Sequence, residues 1–150
     1  ANTETANVET ADWRTAQFTD IATGQTFTIS DFEKPVLLES FAVWCPTCTA
    51  QQNQIKELHE DIGDTVVSIS LDTDPNEDEE RVREHIERNG FDWYYAVSPS
   101  AATQSLIAEF GASVVSAPSA PVVLICNGQA TKLKSGVKSA EFLKEQIDNC

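Results

Sequence analysis

Val36-Leu37-Leu38-Glu39-Ser40-Phe41-Ala42-Val43-Trp44-Cys45-Pro46-Thr47-Cys48 is the stretch on which the fold turns. Residues 36–43 form an apolar run with one charge, Glu39, in its middle, the pattern of a central strand buried on both faces. After the second cysteine the period changes: Ile55, Leu58 and Ile62 fall on one helical face, and Gly63 supplies the stop. Cys45 therefore stands where a strand gives way to a helix. A thiol there faces unsatisfied backbone N–H groups and the positive end of the helix dipole, both of which favour thiolate. Cys45, at the very start of the helix and so expected to be open to solvent, reads as a nucleophile, and Cys48 as the buried thiol that closes a small disulfide with it.

The pair has two competing readings, half of a zinc site and an inert disulfide. Zinc needs two further ligands. Cys126 and Cys150 make no second close-spaced pair, and His59 and His85 read as ordinary half-exposed helix residues, so no metal is expected.

Upstream of the decisive stretch, Gln17–Ile21 and Gln25–Ile29 alternate around Thr23-Gly24 and predict a β-hairpin. Downstream, the pattern gives a strand at 66–71, a charged helix at 77–89 ended by Gly90, a strand at 93–97 and a helix at 101–110 closed by Gly111. A strand at 122–126, a turn at Asn127-Gly128, its partner at 130–134 and a last helix from about Ser139 to Asp148 complete the chain. Strands alternating with helices and ending in a hairpin make an α/β sandwich with a mixed sheet. The acidic run Asp72–Glu80 lacks the glycine and spacing of a calcium loop and reads as a solvated helix start. Trp93-Tyr94-Tyr95 reads as core packing of a strand.

The 150 residues suit one domain at 13–150, preceded by a tail or tether at 1–12 that carries three acids and no base. Ten Lys and Arg against twenty-four Asp and Glu leave a net charge of −14. Such a surface repels phosphate backbones, so nucleic acid is excluded as a partner. No apolar run reaches the roughly 18 residues that a membrane helix needs. The chain starts at Ala1 and contains no methionine, and a membrane tether through a segment removed from its N-terminus is part of the expectation.

These motifs resemble the exported TlpA/ResA-type thiol-disulfide oxidoreductases: the leading hairpin, the run from Pro35 to Cys48, and Ala120-Pro121-Val122-Val123-Leu124-Ile125 with Asn127-Gly128 behind it. The resemblance implies a thioredoxin-like three-layer sandwich with an N-terminal hairpin and a helix-strand unit inserted at Pro75 to Val97. It also implies an enzyme that exchanges disulfides with exported protein substrates through Cys45 and Cys48. No cofactor beyond the dithiol is needed; a redox partner recharges it, and the expected state is a monomer outside the cytoplasm. Family members include reductants of apocytochromes as well as oxidants, and the expectation leans towards reductase. The alternative, a copper or zinc chaperone using the same cysteines, lacks the histidine such proteins carry near the loop at Pro121. A redox-inert interaction module is disfavoured by the intact pair together with Glu39 and Pro121.

Residue by residue, Glu39 matches the buried acid that shuttles the proton of the second cysteine, a role suited to a carboxyl whose charge is costly inside a strand. Pro121 matches the cis-proline facing the cysteine pair, with Ala120 before it free to pair with an extended substrate, and Pro118 is its competitor. Trp44 matches the aromatic beside the thiols, and Pro46-Thr47 the pair that tunes redox poise. In the fold so inferred, the last helix returns towards the Asn127-Gly128 hairpin and brings Cys150 near Cys126. A structural disulfide between them is expected, against the reading of two unrelated thiols, and would persist only outside a reducing cytosol.

Overall fold

A computed structural model describes residues 12–150, so the expected tail lies outside the described residues except for Asp12. In chain order the strands are β1 (Gln17–Thr19), β2 (Thr26–Thr28), β3 (Val36–Phe41), β4 (Val67–Asp72), β5 (Tyr94–Val97), β6 (Val122–Cys126) and β7 (Gln129–Lys132). The helices are α1 (Pro46–Ile62), α2 (Glu79–Asn89), α3 (Ser100–Phe110) and α4 (Ala140–Asp148).

Every residue of β3 is buried, which is why its sequence shows no alternation. It pairs in parallel with β4 and antiparallel with β6, and the five-stranded sheet runs β5-β4-β3-β6-β7. The hairpin β1-β2 forms a separate two-stranded sheet, tied to the main one where Tyr95 N–H donates to Asp20 Oδ1 and Ile21 N–H to Tyr95 O. The inserted unit is α2 with β5.

Two cores flank the sheet and make the three layers. Leu37 and Phe41 of β3 pack with Ile55 and Leu58 of α1, Val82 of α2 and Leu143 of α4. Val36 and Leu38 face the other way, towards Ala102 and Leu106 of α3 and towards Trp13 and Phe18. Strand periodicity thus puts Glu39 on the α1 side.

Local chemistry fixes the ends. Cys45 is the N-cap of α1 with Pro46 at its first position, where a missing N–H costs nothing. Asp78 accepts from Arg81 N–H to start α2, and Ser139 accepts from Phe142 N–H to start α4. Asn127 and Gly128 have φ of 51° and 82°, the pair of positive values that a tight β6-β7 hairpin requires.

Candidate active site

β3 delivers its C-terminal end to the first turn of α1, and the two free thiols sit there. Cys45 Sγ accepts the Cys48 backbone N–H at 3.2 Å, so the nucleophile candidate is itself the helix cap. It also lies 3.2 Å from Thr47 Oγ1, whose hydroxyl donates to Pro118 O at 3.1 Å. Cys48 Sγ donates to Ala117 O at 3.2 Å. Burial, its contact with Cys45 and the charge of Glu39 push the Cys48 thiol far above the ordinary range. Sequence reasoning gave Cys45 open access to solvent, but it is only 1% exposed, against 0% for Cys48, and the Ala117-Pro118 segment accepts hydrogen bonds from Cys48 and Thr47 of the same turn. Trp44, 55% exposed, stands beside them with its indole N–H donating to Asp74 Oδ2 at 2.8 Å.

The loop that covers the thiols differs from expectation. No cis peptide occurs among the described residues, so Pro121 is not a cis-proline. The chain reverses instead through short 3₁₀ turns at Ala112–Val115 and Ala117–Ser119, closed by Ala120 in the left-handed region at φ 51°, ψ 58°. Pro121 O accepts from Ser40 N–H and so extends the β3-β6 ladder. The hydrogen bonds to the cysteine turn come from Ala117 and Pro118, the competitor position.

Glu39 is 1% exposed. Its Oε1 accepts from Ser70 Oγ at 2.6 Å and from Gln52 Nε2 at 2.9 Å, while Oε2 has no hydrogen-bond partner among the described residues. Burial pushes the carboxyl up to about 8, opposed by these two donors and by the charge of Lys138. Gln52 Oε1 in turn lies 2.8 Å from both Tyr95 OH and His85 Nε2, and Trp93 Nε1 donates to Ser70 Oγ. Sequence reasoning missed Gln52, Ser70 and Tyr95 as site residues. His85 is not the half-exposed residue expected but 2% exposed, and burial lowers its pKa. The signal was available for Gln52: Cys48, Gln52 and Ile55 share the apolar stripe of α1.

Lys138 is fully buried, its ammonium donating to the carbonyls of Ala120, Lys134 and Gly136. Burial lowers it to about 8. The acidic run is also less solvated than expected. Asp72 and Glu77 are buried, Glu77 Oε1 accepting from Val43 N–H at 2.8 Å, and burial together with the Glu77 carboxyl pushes Asp72 up to about 8. Asp78 is the N-cap of α2, so that helix starts two residues later than the sequence suggested. Among the described residues no cluster of three or more His, Cys, Asp or Glu side chains is arranged to hold a metal.

At the other end of β3, Cys126 is bonded to Cys150, with Cα atoms 5.5 Å apart. The antiparallel register puts Ile125 opposite Val36, so this bridge and the free thiols lie at opposite ends of the central strand.

A thioredoxin-like sheet that sets a Cys-x-x-Cys pair on the first turn after its central strand defines the class of thiol-disulfide oxidoreductases. The chain belongs to the Redoxin family, whose model matches residues 10–149. The comparison with curated proteins found no match. Among solved structures, the fold is similar to that of a DsbF homologue from Corynebacterium diphtheriae, with a TM-score of 0.73 at 17% identity, covering 93% of this chain and 86% of that one. It is similar as well to a secreted Mycobacterium tuberculosis disulfide oxidoreductase homologous to E. coli DsbE, with a TM-score of 0.69 at 15% identity over 89% and 95% of the two chains. StoA from Bacillus subtilis gives 0.66 at 20% identity over 86% and 92%.

Proposed function

We propose that the protein reduces disulfides of proteins outside the cytoplasm, with Cys45 as the attacking thiol, Cys48 as the resolving thiol and Glu39 as the acceptor of the Cys48 proton. One observation carries these roles: the helix-capping sulfur accepts a backbone N–H, whereas the second sulfur donates its own hydrogen to a carbonyl. The Cys45 thiolate attacks one sulfur of a substrate disulfide; that bond breaks, a mixed disulfide forms and the first substrate thiolate leaves. Cys48 then passes its proton to the Glu39 carboxylate and attacks Cys45 Sγ. The second substrate sulfur departs, and the chain is left with a Cys45-Cys48 disulfide. A carboxyl raised to about 8 exists in both protonation states near neutrality, as a relay requires.

Exposed Trp44 with Pro46 and Thr47 forms the rim on which the substrate docks, and Ala120 and Pro121 support the loop behind it. The Cys126-Cys150 bridge supports an extracytoplasmic setting, where such bonds persist. A monomer recharged by a separate redox partner completes the reading. Cys48→Ser should accumulate mixed disulfides through Cys45, and a labelled pool trapped elsewhere overturns the roles. A reduction potential near −270 mV, thioredoxin's value, is expected for a reductant, whereas one near −120 mV makes the protein a disulfide donor.

A further inference from the structure

The buried polar groups behind the thiols have a direction. Trp93 Nε1 can only donate, and it gives its hydrogen to Ser70 Oγ at 2.9 Å. Ser70 is therefore free to donate its own hydrogen to Glu39 Oε1 at 2.6 Å. On the second path, Gln52 Oε1 accepts from Tyr95 OH and lies 2.8 Å from His85 Nε2. With its oxygen so occupied, Gln52 turns its amide NH₂ to Glu39 Oε1 at 2.9 Å. Asn89 holds His85 from behind by donating to its backbone carbonyl at 2.9 Å. Both chains of donors end on one oxygen of a carboxyl whose other oxygen, Oε2, is buried with no partner among the described residues.

We propose that Gln52 and Ser70, held in orientation by Tyr95, His85 and Trp93, are positioning residues that confine the exchangeable proton of Glu39 to Oε2. An oxygen that already accepts two hydrogen bonds is the poorer base, so the proton resides on the other one. The relay then has one acceptor atom rather than two, and Cys48, whose thiol feels the charge of Glu39, exchanges with that oxygen. This assignment rests on the dithiol reading above. The other titratable groups that act on this carboxyl are Lys138, before α4, and Tyr95 on β5; His85, on α2, reaches it through Gln52.

The test measures two things on the intact protein. Infrared difference spectra across a pH titration follow the carboxyl band assigned by Glu39→Gln, and insulin reduction is followed over the same range. Gln52→Leu removes a donor to the carboxylate and should raise the Glu39 midpoint by about one pH unit, a tenfold gain in proton affinity. The pH profile of exchange should move with it. Tyr95→Phe, which keeps the ring, should move both in the same direction by less. In a Glu39→Gln background, Gln52→Leu should leave the pH profile where it is. A Glu39 midpoint unmoved by Gln52→Leu in a folded, active variant overturns the proposal, as does a profile shift that survives in the Glu39→Gln background. Wild-type protein that titrates as expected but reduces no disulfide overturns the dithiol reading instead, and the infrared band still reports on the carboxyl.

Discussion

The two cysteine pairs lie at opposite ends of one strand and are built from opposite materials. Cys45 and Cys48 are three positions apart, share a helix turn and are surrounded by hydrogen-bonding groups: a backbone N–H, the Thr47 hydroxyl and the Ala117 carbonyl. Cys126 and Cys150 are separated by 24 positions and join the end of β6 to the end of the chain beyond α4. The first pair can change state with little movement of the chain, because both sulfurs belong to one rigid turn. The second closes a long loop, so breaking it returns chain entropy to the unfolded state. Spacing and surroundings, not the presence of a disulfide, separate a working bond from a structural one.

Removing either active-site thiol is the harshest way to probe that contrast. Cys45→Ser should cut insulin reduction on the order of a thousandfold or more while leaving the melting temperature nearly unchanged. The double change Cys126→Ala with Cys150→Ala should do the reverse. It is expected to lower stability by roughly 3 to 4 kcal/mol on the chain-entropy model, read by denaturant unfolding, with turnover within about twofold of wild type. Comparable losses of turnover from both would erase the distinction between the pairs.

Glu39→Gln addresses the protonic side of the first pair. The folded carboxyl is raised from 4.5 to about 8, so between those values the folded state holds more protons than the unfolded one. The wild type should lose stability from this group as pH rises through that window, whereas the variant should not. Above pH 8 the variant is expected to be more stable by several kcal/mol, with about 5 kcal/mol as the upper limit set by the shift, exchange should be slowed at neutral pH, and below pH 4.5 the difference should vanish. Thermal melts at pH 4, 6 and 9 with a matching pH profile of turnover check both halves. The smallest effect is expected far from either pair: Arg14→Gln breaks the exposed ion pair with Glu109 and should cost under about 1 kcal/mol in denaturant unfolding, without touching turnover.

How much could be read from the chain follows from what each feature depends on. The switch from a continuous apolar run to a helical stripe at Cys45 is local, and it placed β3, α1 and the thiols correctly. Asn127-Gly128 and Ser139 are local signals too, and β6, β7 and α4 lie within two residues of expectation. The covering loop was not legible, because Ala120 adopts a left-handed conformation that nothing about alanine announces. Pro121 adjoins the strand, as its position suggests, but the carbonyls over the thiols come from residues three and four positions earlier. Gln52, His85 and Lys138 were missed for a common reason. A buried polar side chain looks like a surface one until its partners are known, and those partners come from other elements: Tyr95 on β5, Glu39 on β3, and the Ala120 carbonyl.

Thr47 has one hydroxyl hydrogen and two claims on it. While Cys45 is a thiol it can lend its own hydrogen to Thr47 Oγ1, and the hydroxyl is then free to hold the Pro118 carbonyl. A thiolate has no hydrogen to lend and draws one towards itself. A hydroxyl turned to the sulfur no longer donates to Pro118 O. The charge on the nucleophile and the hydrogen bonding of the turn beside it are thus linked through the direction of one hydrogen atom, while the Ala117 carbonyl keeps its own bond from Cys48.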